Sequence, residues 1–127
     1  MSDKKKVEME ILLNASPKSL YNMISTPGGL SEWFADNVNV RDNMFTFIWD
    51  GSEEKAELLQ KSKDRSVKFR WDYDEGEEYY FELRIKVDPI TREVALIVTD
   101  FADEGDEEST ASLWESQIED LRRVLGA

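Results

Sequence analysis

Leu113-Trp114-Glu115-Ser116-Gln117-Ile118-Glu119-Asp120-Leu121-Arg122-Arg123-Val124-Leu125 is the stretch whose spacing decides the fold. Leu113, Trp114, Gln117, Ile118, Leu121, Val124 and Leu125 recur at three- and four-residue steps, with Glu115, Glu119, Asp120, Arg122 and Arg123 on the opposite side. That is the period of an amphipathic helix. Glu107 and Glu108 suit its first turn and Arg122 and Arg123 its last, because each pair opposes the local end of the helix dipole. Gly126 supplies a C-terminal stop. A helix over about residues 107–125 with a single apolar stripe needs an apolar surface to lie on.

The residues before it provide one. Val7, Met9 and Ile11 alternate with Glu8 and Glu10, so Val7 to Leu13 reads as a strand with one wet face. Ser16-Pro17 and Thr26-Pro27 each place a capping hydroxyl before a proline at the first helical position. They predict two short helices, one carrying Leu20, Tyr21 and Ile24, the next Leu30, Trp33 and Phe34. Strands follow over Val38–Val40, Met44–Trp49, Lys55–Lys61, Val67–Trp71, Tyr79–Val87 and Val94–Phe101. They are separated by Arg41-Asp42-Asn43, Asp50-Gly51, Ser62-Lys63-Asp64, the acidic loop Asp72–Glu78 and Asp88-Pro89-Ile90-Thr91. Val94–Phe101 is apolar on both faces and is expected at the centre of the sheet. The order β-α-α-β6-α predicts an α+β fold in which a curved antiparallel sheet wraps around the long C-terminal helix. One domain is expected over residues 1–127, with neither an internal repeat nor a linker.

Composition narrows the chemistry. The 127 residues contain no histidine and no cysteine. Ser-His-Asp and Cys-His catalysis, an imidazole base, disulfides and thiolate metal sites are therefore excluded. Asp and Glu number 28 against 16 Lys and Arg, a net charge of −12. This argues against nucleic acid, which needs a basic face, and against docking on anionic membranes. Met1-Ser2-Asp3-Lys4-Lys5-Lys6 leads into no apolar core, so no signal peptide is read there. The longest apolar run, Val94 to Val98, is far too short to span a bilayer. A cytoplasmic monomer is expected, with no cofactor, no metal and no membrane insertion. The acidic run from Asp100 to Glu108 lacks the alternating spacing of an EF-hand loop.

Three stretches resemble the START-like superfamily (helix-grip, SRPBCC or birch-pollen-allergen-like proteins). Its nearest branch here is that of homologues of the activator of the ninety-kilodalton heat-shock protein's ATPase. The first is Asn14-Ala15-Ser16-Pro17-Lys18-Ser19-Leu20-Tyr21 with Leu30-Ser31-Glu32-Trp33-Phe34 at the family's interval. The second is Val67-Lys68-Phe69-Arg70-Trp71, and the third Trp114-Glu115-Ser116-Gln117-Ile118-Glu119-Asp120-Leu121. Many members carry a Gly-Gly pair where this chain has Arg41-Asp42-Asn43-Met44. The resemblance implies a helix-grip fold and a cavity without specifying a ligand. Members include lipid carriers, plant hormone binders, aromatic polyketide cyclases and chaperone activators.

A sheet this wide is not easily filled by one helix, so a cavity between sheet and helix is the candidate site. The residues that qualify as its lining are Trp33 and Phe34 from the second helix, Phe47 and Trp49, Phe69 and Trp71, Tyr79 and Phe81 from the strands. Leu96, Val98 and Asp100 come from the last strand, and Leu113, Trp114 and Gln117 from the last helix. The same aromatic residues serve equally well as plain core. Asp100 shares the register of Val94, Leu96 and Val98, so it either enters the cavity mouth or ends the strand. Gln117, polar on an apolar face, needs a partner in the sheet or a ligand. Arg70, Arg84 and Lys86 fall on the outward register. The leading expectation is a non-catalytic binding module for a small hydrophobic or amphipathic ligand, lipid-like or aromatic. A protein-interaction role of the chaperone-activator kind is the alternative, with the acidic surface steering a basic partner. A cyclase- or hydrolase-like enzyme is the weakest reading, since no catalytic constellation is recognisable.

Overall fold

In a computed structural model, residues 3–126 are described. Met1, Ser2 and Ala127 lie outside the described residues, and with them the two ends of the domain expected over 1–127 and the start of the charged N-terminal segment. The elements are β1 (Lys4–Leu13), α1 (Pro17–Ser25), α2 (Pro27–Trp33), β2 (Asn37–Arg41), β3 (Met44–Trp49), β4 (Ser52–Ser62), β5 (Ser66–Trp71), β6 (Phe81–Val87), β7 (Val94–Asp103) and α3 (Glu107–Leu125). This is an α+β fold with one curved antiparallel sheet in the order β1-β7-β6-β5-β4-β3-β2. Strands β2 to β7 form a meander of hairpins. The α1–α2 clip carries the chain from β1 at one edge to β2 at the other.

Local chemistry sets each boundary. The Ser16 hydroxyl accepts from the Ser19 N–H at 3.1 Å and the Thr26 hydroxyl from the Gly29 N–H at 2.9 Å, satisfying helix donors that lack partners. Asp50 and Gly51 both hold positive φ, as a two-residue hairpin turn between Trp49 and Ser52 demands. Gly126 ends α3 in the left-handed region at φ 70°. Between Leu58 and Gln60 the pairing of β4 with β5 slips at a bulge, which sharpens the local twist. Tyr79 precedes β6 instead of starting it. The Asp72–Glu78 loop opens with a 3₁₀ turn over Asp72–Asp74.

The inner face of the sheet carries the core. Phe47, Phe69, Phe81, Val67, Leu83, Leu96 and Val98 are all essentially without solvent contact. From above, α3 contributes Trp114, Ile118 and Leu121, and the clip contributes Leu20, Ile24 and Leu30. Covering the sheet is therefore shared: α1 packs on β5 and β6, and α2 on β2 and α3. The helix stripe is also narrower than its sequence period implies, because Leu113 and Val124 are exposed.

Strand β7 is not central. It lies second from the edge, between β1 and β6. Its outer residues Ala95, Ile97 and Thr99 are buried nonetheless, because long side chains flank them in register. Glu8 and Glu82 pair beside Thr99, Glu10 and Arg84 beside Ile97, Leu12 and Lys86 beside Ala95. The stems of such residues cover apolar surface while their charges stay wet.

Two substitutions test this packing. Leu121 has no exposed surface, so Leu121→Ala is expected to lower stability by about 2–5 kcal/mol, read from the urea midpoint. Gly29 sits where α2 touches α1, and a Cβ there would stand 2.2 Å from the Asn22 carbonyl oxygen and 2.7 Å from Met23 Cα. Gly29→Ala is expected to cost about 1–3 kcal/mol, although Ala is otherwise the better helix former.

Candidate functional site

One end of the sheet is left open by both the clip and α3. It gathers the start of β1, the end of β3, the start of β4, the end of β5, the approach to β6 and the end of β7. The first half of α3 crosses above. The result is a cleft of about 490 Å³, within the usual range for small-molecule sites, about 300–1,000 Å³.

Aromatic residues build its walls because inward positions at this end of the strands are Trp and Tyr instead of Val and Leu. The Phe34 ring stacks on Trp114 at 5.4 Å and meets Trp49 edge-on at 5.4 Å. Trp71 and Tyr73 lie nearly parallel at 6.0 Å. Phe101 bridges Tyr79 and Tyr80 at 5.3 and 5.2 Å. Arg70 of β5 donates through Nε to the Tyr79 carbonyl at 2.9 Å, which holds this aromatic segment against the sheet.

The polar groups are few and specific. The Trp114 indole N–H donates to Asp100 Oδ2 at 2.8 Å, and the Phe101 N–H to Asp100 Oδ1 at 2.7 Å. Lys4 Nζ pairs with Asp74 Oδ1 at 3.1 Å and lies over the rings of Tyr79 and Tyr73 at 5.1 and 5.5 Å. The Lys4 backbone N–H donates to the Tyr79 hydroxyl at 3.1 Å. The carbonyl of Phe34 receives the Trp49 indole N–H at 2.7 Å and the Gln117 amide at 3.2 Å. Gln117 thus finds its partner in the last residue of the clip and not in the sheet.

Two groups are electrostatically displaced. Burial raises the Asp100 carboxyl above its ordinary 3.8, opposed by the bonds from Trp114 and Phe101 and by the charge of Lys4, and reinforced by Asp74. The Tyr73 phenol is pushed well above the usual range by desolvation and then by Glu54, Asp74 and Asp100. Both shifts come first from exclusion of water, with neighbouring carboxylates adding to them.

Of the residues read from the sequence as possible lining, Phe34, Trp49, Trp71, Tyr79, Asp100, Leu113, Trp114 and Gln117 border this cleft. Phe47, Phe69, Phe81, Leu96 and Val98 do not. They lie deeper on the same face and are sealed by the helices. Trp33 faces a separate, more polar depression on the far side of Phe34, Trp49 and Gln117, with its indole bonded to the Met23 carbonyl. Lys4, Glu54, Tyr73, Asp74, Tyr80, Phe101 and Thr110 also border the cleft and were not read from the sequence. The Tyr79-Tyr80 pair after an acidic loop was the available signal for part of this set. Among the described residues, no group of three or more Asp and Glu is arranged to hold a metal ion, and no helix is long and apolar enough to cross a membrane.

Comparison with known proteins agrees with this architecture. The family model of the START-like superfamily domain matches residues 1–127. The solution structure of BfR322 from Bacteroides fragilis is 36% identical, with 98% of this chain and 92% of that one covered and a TM-score of 0.69. The Aha1 dimer from Colwellia psychrerythraea is 13% identical, with 95% and 96% covered and a TM-score of 0.79. DynU16, from the dynemicin biosynthetic locus, is 15% identical, with 96% of this chain and 47% of that one covered and a TM-score of 0.78. The last two likenesses concern the fold alone. No curated protein matches the sequence.

The raised Asp100 carboxyl has a measurable consequence. Its folded pKa lies above the unfolded one, so ionisation costs stability above the folded value, and the cost vanishes as pH falls below about 3.9. Asp100→Asn removes the charge but keeps only one of the two acceptor oxygens that Phe101 and Trp114 use. Its stability relative to wild type is expected to fall as pH drops through the raised value toward 3.8, because only the wild type is relieved of the cost of ionisation there. Calorimetry across that range checks it.

Proposed function

This chain belongs to the START-like superfamily, and from that premise we propose that it is a binding module for a small amphipathic molecule held in the aromatic cleft. The observation that carries the reading is a cavity of about 490 Å³ lined by the rings of Trp49, Trp71, Tyr73 and Tyr79 together with the polar groups of Lys4, Glu54, Asp74 and Asp100. Such a site desolvates an apolar body and orients a polar head. Affinity comes from the faces of Trp71 and Tyr73 together with Leu113, whose side chain hangs exposed at the rim.

The arrangement favours binding over turnover. The indole N–H groups of Trp49 and Trp114 are each bound to an acceptor of the protein itself, on Phe34 and Asp100. Those donors are not poised toward a developing oxyanion. Asp100 is held by two hydrogen bonds, and neither partner is a nucleophile.

Fluorescence tests the proposal directly. The neutral probe N-phenyl-1-naphthylamine is expected to brighten on binding and to quench the cleft tryptophans. Leu113→Asp is expected to weaken it about tenfold by removing apolar rim surface, with the urea midpoint nearly unchanged because Leu113 is 62% exposed. No change in either emission on titration would sink the proposal.

A further inference from the structure

We infer that the polar head recognised in this cleft is an organic ammonium, so that the ligand is an amphipathic cation and not a carboxylate or phosphate amphiphile. This rests on the binding role proposed above and specifies its ligand class.

The first ground is the balance of charge. One cation, Lys4, and three carboxylates, Glu54, Asp74 and Asp100, border the cleft. The Lys4 ammonium is already spent: it is paired with the buried Asp74. Among the described residues no salt bridge reaches Glu54 or Asp100, so the cleft keeps a negative excess that an anionic head would increase.

The second ground is the balance of hydrogen bonds. The indole donors of Trp49 and Trp114 and the amide donor of Gln117 are taken by protein acceptors. The carboxylate oxygens of Glu54 and Asp100 and the aromatic faces remain, beside the Trp71 indole N–H and the hydroxyls of Tyr73, Tyr80 and Thr110, which serve a polar head of either sign. A head that donates, and that gains from a negative ring face, fits what is left.

The third ground is that the protein demonstrates the recognition with its own side chain. Lys4 Nζ sits 3.1 Å from an Asp74 oxygen and 5.1 and 5.5 Å from the centroids of Tyr79 and Tyr73. A primary ammonium at the end of an aliphatic stem is held there by a carboxylate and two rings. Trp71 stacked on Tyr73, with Glu54 and Asp100 alongside, offers a second ammonium the same kind of environment.

A matched series decides the matter by NMR on the intact protein, following the Trp114 indole and the amides of residues 71–80: phenethylammonium, 2-phenylethanol and phenylacetate. The ammonium is expected to bind roughly tenfold more tightly than phenylacetate, with the alcohol between them. Glu54 is exposed, so Glu54→Gln is expected to keep the fold, to weaken the ammonium by roughly two- to five-fold and to leave the alcohol unchanged. Lys4→Met frees the Asp74 carboxylate and is expected to tighten the ammonium further.

Equal binding of all three probes, or preference for phenylacetate, would overturn the ammonium assignment while leaving the cleft a binding site. Loss of phenylacetate binding in Lys4→Met, with the ammonium unaffected, would make Lys4 the hook for an anion and also overturn it. Absence of shifts with any probe would remove the binding role itself and this inference with it.

Discussion

The carbonyl oxygen of Phe34 holds the site end of the molecule together. It caps the C-terminal end of α2, where the last turn of a helix leaves carbonyls without intrahelical partners. Two side chains from distant elements fill that vacancy, the Trp49 indole from β3 and the Gln117 amide from α3. Below the carbonyl, the Phe34 ring touches Trp33, Phe47, Trp49, Phe81 and Trp114. One residue thus registers the clip, the sheet and the long helix against one another. The position of α3 that follows is what brings Trp114 within hydrogen-bonding distance of Asp100. The same bonds form the partition between the aromatic cleft and the polar depression behind it.

Net charge has different consequences at different places. Over most of the surface the acidic excess repels other acidic surfaces. On the outer face of β7 it is locally balanced, with Glu8 and Glu10 meeting Thr99 and Lys86, and the long side chains shield Ile97. In the cleft, carboxylates stand beside aromatic faces under partial exclusion of water. There the cost of ionising Asp100 becomes visible as a raised pKa. Acidity that is generic elsewhere becomes selective through its surroundings.

Much of the architecture could be read from residue order. The period of Trp114, Ile118 and Leu121, the Ser16-Pro17 and Thr26-Pro27 caps and the Asp50-Gly51 turn each have a local physical cause, and each element appeared where that cause lies. The site was less legible, because alternation along a strand reveals which face a residue takes and not how far along the sheet the helices cover it. Phe69 and Trp71 share a face; two positions separate sealed core from cleft wall. Lys4 was invisible for a related reason. It falls out of the inward register of Val7, Met9 and Ile11, and only its long stem lets the ammonium reach Asp74, seventy residues away. Tyr73 and Asp74 belong to a loop whose acidic composition reads as solvated, until the 3₁₀ turn folds Asp74 inward to 7% exposure.

The pairing of β1 with β7 joins Lys4 to Asp103 and Leu13 to Val94. These are among the longest loops the chain can close, and such contacts form late because their entropy cost precedes their reward. The cleft needs that pairing, and it needs α3, whose residues are the last of its walls to leave a ribosome. Until then the meander from β2 to β6 presents Phe47, Phe69, Trp71 and Phe81 on a face that α1 and α2 cover only in part. The nascent protein therefore passes through an interval with a broad sticky surface. The apolar wealth that makes the finished pocket also makes the incomplete chain prone to aggregate.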